Sequence, residues 1–144
     1  MLIQLTLGSL LIAATSLAAA LTWWALEVFL IRTHTWVVRP PHGPKLIAIL
    51  SLAMLWTIVM TTAAVWIWAL ALYGLDIFIT LEASVYFSLV AFTTLGFGDI
   101  LLPLEWRLLG GLAAANGLLI FGLMTAMLVE TLRQIRLRQR GRFD

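Results

Sequence analysis

Thr93-Thr94-Leu95-Gly96-Phe97-Gly98-Asp99 lies between two long apolar segments of a chain that is otherwise mostly hydrophobic. Two glycines flank a single aromatic, threonines precede them, and an aspartate closes the run. Glycine readily takes positive φ, the conformation needed to turn successive carbonyls toward one axis. Rings of such carbonyls replace the water shell of a dehydrated cation.

Composition sets the class around this stretch. The chain has 144 residues, 62% of them hydrophobic and 11% charged, with a mean hydropathy of +1.04. That lies far outside soluble composition and predicts one domain built from helices packed in lipid. There are no cysteines, which removes disulfide frameworks and thiolate metal sites. His34 and His42 are too few for a metal cluster. With no nucleophile–base pair, metal cluster or phosphate loop, the chain reads as a non-enzyme without a resident cofactor.

Three segments exceed the roughly 20 apolar residues a bilayer crossing needs: about Leu2 to Ile31, Leu46 to Tyr73, and Leu104 to Val129. Met1–Ala20 ends like a cleavable signal, but it has no cationic start and its apolar run continues. The first segment is therefore expected to stay as a helix. Gly74–Pro103 is too short and too broken for another span. It reads as a re-entrant loop, with Thr80 capping a helix of about a dozen residues and Glu82 in its first turn. Irregular backbone at that depth survives where it lines a water- or ion-filled cavity. Arg32, Arg39 and Lys45 flank the first loop, and Arg133, Arg136, Arg138, Arg140 and Arg142 follow the third span. The positive-inside rule makes both regions cytoplasmic and puts the amino terminus and the glycine loop outside.

The stretch from about Glu82 to Glu130 resembles the pore module of potassium channels: pore helix, Thr-Thr-Leu-Gly-Phe-Gly-Asp filter, inner helix. Leu46–Tyr73 then corresponds to the outer helix. The usual signature is Thr-Val-Gly-Tyr-Gly-Asp, so Leu95 replaces valine and Phe97 replaces tyrosine. The resemblance implies an all-α integral membrane protein with three transmembrane helices, a re-entrant pore helix and a filter loop, assembled as a homotetramer. It implies potassium ions, as permeant ligand, held by Thr94, Leu95, Gly96 and Phe97. Gly98 would complete the filter backbone, and Asp99 would concentrate cations at the outer mouth. The side chains of Leu95 and Phe97 would pack behind the filter, and Tyr86 and Phe87 of the short helix read as ordinary packing residues. A filter tyrosine often hydrogen-bonds pore-helix aromatics in such channels, and Phe97 lacks the hydroxyl for it.

The domain plan is an extra amino-terminal helix at 1–32, a basic cytoplasmic loop at 33–45, the pore module at 46–130, and a short basic tail at 131–144. Asn116 either faces the cavity or hydrogen-bonds a neighbouring helix. Gly117 is either a hinge of the inner helix or a packing contact. Gly110, Gly111 and Gly122 read as packing residues. Glu27 and Glu130 are expected to pair with Arg32 and Arg133, because an unpaired charge in mid-membrane costs about 2.5–3.5 kcal/mol. The tail suits anionic lipid headgroups rather than nucleic acid. The expected function is passive potassium conduction across a bacterial inner membrane. A poorly selective monovalent cation channel and a non-conducting accessory subunit are the alternatives.

Overall fold

The structure is a computed structural model that describes residues 1–32 and 42–139. In chain order it contains α1 (Leu2–Arg32), α2 (His42–Gly74), α3 (Leu81–Phe92), a 3₁₀ turn (Leu104–Trp106) and α4 (Arg107–Gln139). Helices α1, α2 and α4 are each long and apolar enough to cross a membrane. Helix α3 has 12 residues. At about 1.5 Å per residue, roughly 18 Å in all, it cannot cross a bilayer.

Side-chain contacts fix the directions of the spans. Gln4 Oε1 accepts from the Leu108 amide at 3.1 Å, and Asn116 Nδ2 donates to Thr15 Oγ1 at 2.7 Å. Residue numbers rise together across these contacts, so α1 and α4 run parallel. The start of α2 packs on the end of α4 through Ile49 and Ile135, whereas Trp68 and Leu72 cluster with Leu109 and Ala113 near the start of α4. Helix α2 is therefore antiparallel to α4. The start of α1, the end of α2 and the start of α4 all meet at one end of the bundle.

The core is a stripe with helical spacing. Met60, Ala64, Trp68 and Leu72 are buried on α2 at every fourth residue and pack with Ala19, Phe92, Ile120 and Met124. Lipid supplies no hydrophobic force between helices, so close contact through small residues decides the packing. Gly8 of α1 lies against the Leu112 side chain, and Gly110 lies against Phe87 and Leu102. Gly117 approaches closest of all: a Cβ there would overlap the carbonyl oxygen of Phe92 and stand 2.6 Å from its carbonyl carbon. Gly111 and Gly122, also expected to pack, meet nothing within 4 Å in the chain.

One boundary differs from the sequence reading. Helix α2 begins at His42, so Lys45 belongs to a helix rather than to the basic loop. Pro44 is tolerated there because first-turn amides have no intrahelical partner. In keeping with the helical spacing of Leu128, Leu132 and Ile135, α4 continues through the first nine residues of the tail, where Ile135 is buried against Ile49 and Leu46. The rest of the basic loop (33–41, with Arg39 and His34) and of the tail (140–144, with Arg140 and Arg142) lies outside the described residues. Arg133 Nε pairs with Glu130 Oε2 at 3.0 Å. Among the described residues Glu27 is exposed and makes no ion pair with Arg32.

Replacing Gly117 by alanine drives a methyl group into the Phe92 backbone, which cannot swing aside as a side chain could. Gly117→Ala is expected to cost about 1–3 kcal/mol or more. Gly111→Ala should stay within about 1 kcal/mol of wild type or gain slightly from better helix propensity. Thermal unfolding of the purified protein in detergent compares them, and equal melting temperatures would contradict the contact.

Candidate functional site

The glycine loop is held by the ends of α3. Thr80 Oγ1 caps the start, accepting from the Ala83 amide at 3.2 Å, and Glu82 stands in the first turn beside the positive end of the dipole. At the other end the Leu95 amide donates to Val90 O at 3.0 Å and the Thr94 amide to Ala91 O at 2.9 Å. This pair of bonds is a Schellman closure, which needs a left-handed residue just past the helix. Thr94 takes that place, with φ +59°. Helix α2 ends in the same way, with Asp76 at φ +53° and the Ile77 amide donating to Leu72 O at 3.2 Å. The Gly96 amide also returns to Val90 O, at 3.3 Å.

Beyond the closure the sign of φ alternates. Thr94, Gly96 and Gly98 have φ of +59°, +60° and +75°, while Leu95 and Phe97 between them are not positive. In an ordinary strand successive carbonyls face opposite ways. Reversing handedness at every second residue cancels that alternation and lines like groups along one side. The amides of Thr94, Leu95 and Gly96 are committed to α3. Among the described residues, no hydrogen bond reaches the carbonyls of Thr94, Leu95, Gly96, Phe97 or Gly98. Residues 94–98 are exposed. The sequence pointed to the two glycines. It missed Thr94 as the third left-handed residue, a β-branched side chain held in a region that costs it about 1–2 kcal/mol.

Asp99 closes the stretch. Its Oδ2 accepts from the Tyr86 hydroxyl at 2.5 Å, and its Oδ1 accepts from the Ile100 amide at 3.0 Å. Tyr86 was expected only to pack; instead it ties the far end of the loop to α3. The tyrosine hydroxyl holds the Asp99 carboxyl below its ordinary range, against a smaller opposing effect of desolvation. The same bond raises the Tyr86 hydroxyl above its own ordinary value. A phenol supplied by the helix thus links helix and loop, although Phe97 carries no hydroxyl.

Other placements are met in part. Leu95 and Phe97 do not pack behind the loop within the chain, where they are 57% and 67% exposed. Phe87 does pack, 5.4 Å from Phe78 between ring centroids. Asn116 does not open onto a cavity. It is 1% exposed, and its amide reaches Thr15, itself fully buried on α1. Its Oδ1 is buried without a hydrogen-bond partner among the described residues. Gly117 packs on Phe92 instead of standing in open space as a free hinge would. Thr15, Gln4 and Gly8 carried no signal in the sequence, because small or polar residues inside an apolar run do not say which face they occupy. A groove of about 830 Å³ opens between α2 and α3, lined by Trp66, Leu81, Val85, Tyr86, Leu89 and Asp99 among others. Among the described residues no group of His, Asp or Glu side chains is placed to hold a metal ion.

Residues 46–134 match the model of a family described as "Ion channel", which covers α2, α3, the glycine loop and most of α4. No curated protein and no solved structure gives a significant match to the chain.

The lowered Asp99 pKa has a definite sign. The contribution of its ionised form is complete above the ordinary carboxylate range and is lost only as pH falls through the lowered value. Tyr86→Phe removes the main cause, so the Asp99 carboxyl should titrate closer to its ordinary midpoint of about 4. A ¹³C NMR titration of the Asp99 carboxyl reads this directly, and an unmoved midpoint in the variant would refute the link.

Proposed function

The chain belongs to the ion-channel family matched over residues 46–134, and from that premise we propose that it is a potassium-selective channel working as a cyclic homotetramer. One observation carries this reading: φ alternates in sign along the loop, the amides of Thr94, Leu95 and Gly96 are tied to α3, and the carbonyls from Thr94 to Gly98 carry no hydrogen bond among the described residues. A single strand offers one wall of a coordination site. Four copies around an axis close it into stacked rings that replace potassium's hydration shell. Thr94 contributes a carbonyl and a hydroxyl at the inner end, with the carbonyls of Leu95, Gly96 and Phe97 above it. Gly98 supplies the last turn of the backbone and Asp99 the acidic outer mouth. The exposed side chains of Leu95 and Phe97 support the same assembly, because in a tetramer a neighbouring subunit covers them.

Orientation follows from charge. The basic ends of α1 and α4 face the cytoplasm, which puts the amino terminus and the loop outside. Arg133 and Arg136 then lie beside the headgroups, where anionic lipid attracts them. A bacterial inner membrane fits this distribution. Poor selectivity is the second reading, favoured by the missing filter hydroxyl at Phe97 and opposed by the Tyr86–Asp99 bond.

The test is a bi-ionic reversal potential in planar bilayers, with potassium on one side and sodium on the other. The expected reversal lies near the potassium equilibrium value. Gly96→Ala should abolish that preference, because φ +60° strains an alanine by about 1–2 kcal/mol in each subunit although its Cβ meets nothing within 4 Å. Robust current reversing near zero in wild type would replace potassium selectivity by general cation conduction. Silence across pH, voltage and lipid composition would favour a non-conducting subunit.

A further inference from the structure

Helix α1 lies outside the region matched by the family model, yet it grips the start of α4 at three successive turns. Gln4 Oε1 accepts the Leu108 amide, one of the first-turn donors that a helix leaves without a partner. Gly8 admits the Leu112 side chain against the α1 backbone. Thr15 then receives Asn116. Positions 108, 112 and 116 share one face of α4. Further along, α1 turns its polar contacts to α2 instead: Trp56 Nε1 donates to Thr22 O at 3.1 Å, and Thr22 Oγ1 lies 3.0 Å from Met60 Sδ. Helix α1 is thus fixed to α2 along one half and holds α4 along the other.

The last of the three ties has a defined direction. The Thr15 hydroxyl donates within its own helix, 2.9 Å from Leu11 O and 3.0 Å from Ile12 O. Its lone pair is left to accept Asn116 Nδ2. Both side chains are buried, so without this bond the amide would have no water to turn to. The next residue, Gly117, faces a different neighbour, the Phe92 carbonyl at the end of α3. Phe92 is two residues from Thr94, and the closure joining α3 to Thr94 begins at Val90 and Ala91. Asn116 and Gly117 thus sit side by side on α4, one held by α1 and the other in contact with the last turn of α3.

We infer that α1, through the Thr15–Asn116 hydrogen bond, positions α4 against the last turn of α3 and thereby sets the ion preference of the site at Thr94. Thr15 and Asn116 are positioning residues, and neither touches the ion. The inference rests on the channel reading above.

Full-length protein in planar bilayers tests it, using potassium against sodium for wild type, Thr15→Val, Thr15→Ser and Asn116→Leu. Valine keeps the shape of threonine without its oxygen, leucine removes the donor from the other side, and serine keeps the acceptor. Thr15→Val and Asn116→Leu should each lower the potassium-to-sodium permeability ratio by about 3- to 10-fold, the range of one ordinary hydrogen bond. Thr15→Ser should stay near wild type. A purely structural role would reduce the number of channels and the total current but leave the reversal potential in place. Unchanged ratios in the valine and leucine variants overturn the inference. So does loss of current in both while Thr15→Ser conducts normally, since the pair would then serve folding alone. Wild-type reversal near zero would remove the potassium reading by itself. The positioning role would then be decided by whether Thr15→Val changes the ratio in either direction.

Discussion

In a hydrocarbon environment a backbone amide or carbonyl must find its partner within the protein, and this constraint governs the glycine loop. Helix α3 stops after 12 residues, leaving terminal carbonyls that water would satisfy in a soluble protein. Here the loop's own amides at Thr94, Leu95 and Gly96 turn back and occupy Val90 O and Ala91 O. Helix and loop thereby become one unit. The carbonyls of Thr94 to Gly98 remain as acceptors, exposed along one edge. Carbonyls lined along one side are the kind of group that replaces a cation's hydration shell.

Two contacts keep that unit in place. At its far end the Tyr86 hydroxyl holds Asp99. At its near end Gly117 lets α4 lie directly on the Phe92 backbone. Between them α3 is wedged by Phe87 against Gly110 and by Phe92 against Phe121, whose ring centroids are 6.0 Å apart. The Gly117 contact is made to the Phe92 backbone, which cannot swing aside as a side chain could. Small displacements of α4 therefore pass to α3 instead of being absorbed, as expected of close-packed interiors.

The amino-terminal helix belongs to the same arrangement. Ala19 is part of the principal core, and Leu7, Leu11 and Ile12 pack against it. Its ties to α4 sit in the half of the bundle nearest the loop, and its ties to α2 lie farther along. Helix α1 therefore contacts both long helices of the region matched by the family model.

How much of this could be read from the sequence depends on the kind of contact. Three spans and a short capped helix were legible because hydropathy, Thr80 and Glu82 act locally, within one segment and its solvent. Gly96 and Gly98 were legible because positive φ is a property of the residue itself. The Glu130–Arg133 pair was legible as neighbours three apart on one helix. The start of α2 was not legible, because Lys45 looked like loop chemistry while the apolar faces of Leu46 and Ile49 were already committed to Ile135. Tyr86 meeting Asp99, Thr94 adopting φ +59° and Asn116 reaching Thr15 across 101 positions could not be foreseen. By itself the sequence determined the class, the spans and the residues capable of exposing carbonyls, since each follows from local chemistry in a low-dielectric solvent. Only the tertiary structure decided which partner each polar side chain and each glycine meets. In helices that are apolar on every side, no periodicity marks one face from another, and packing alone makes the choice.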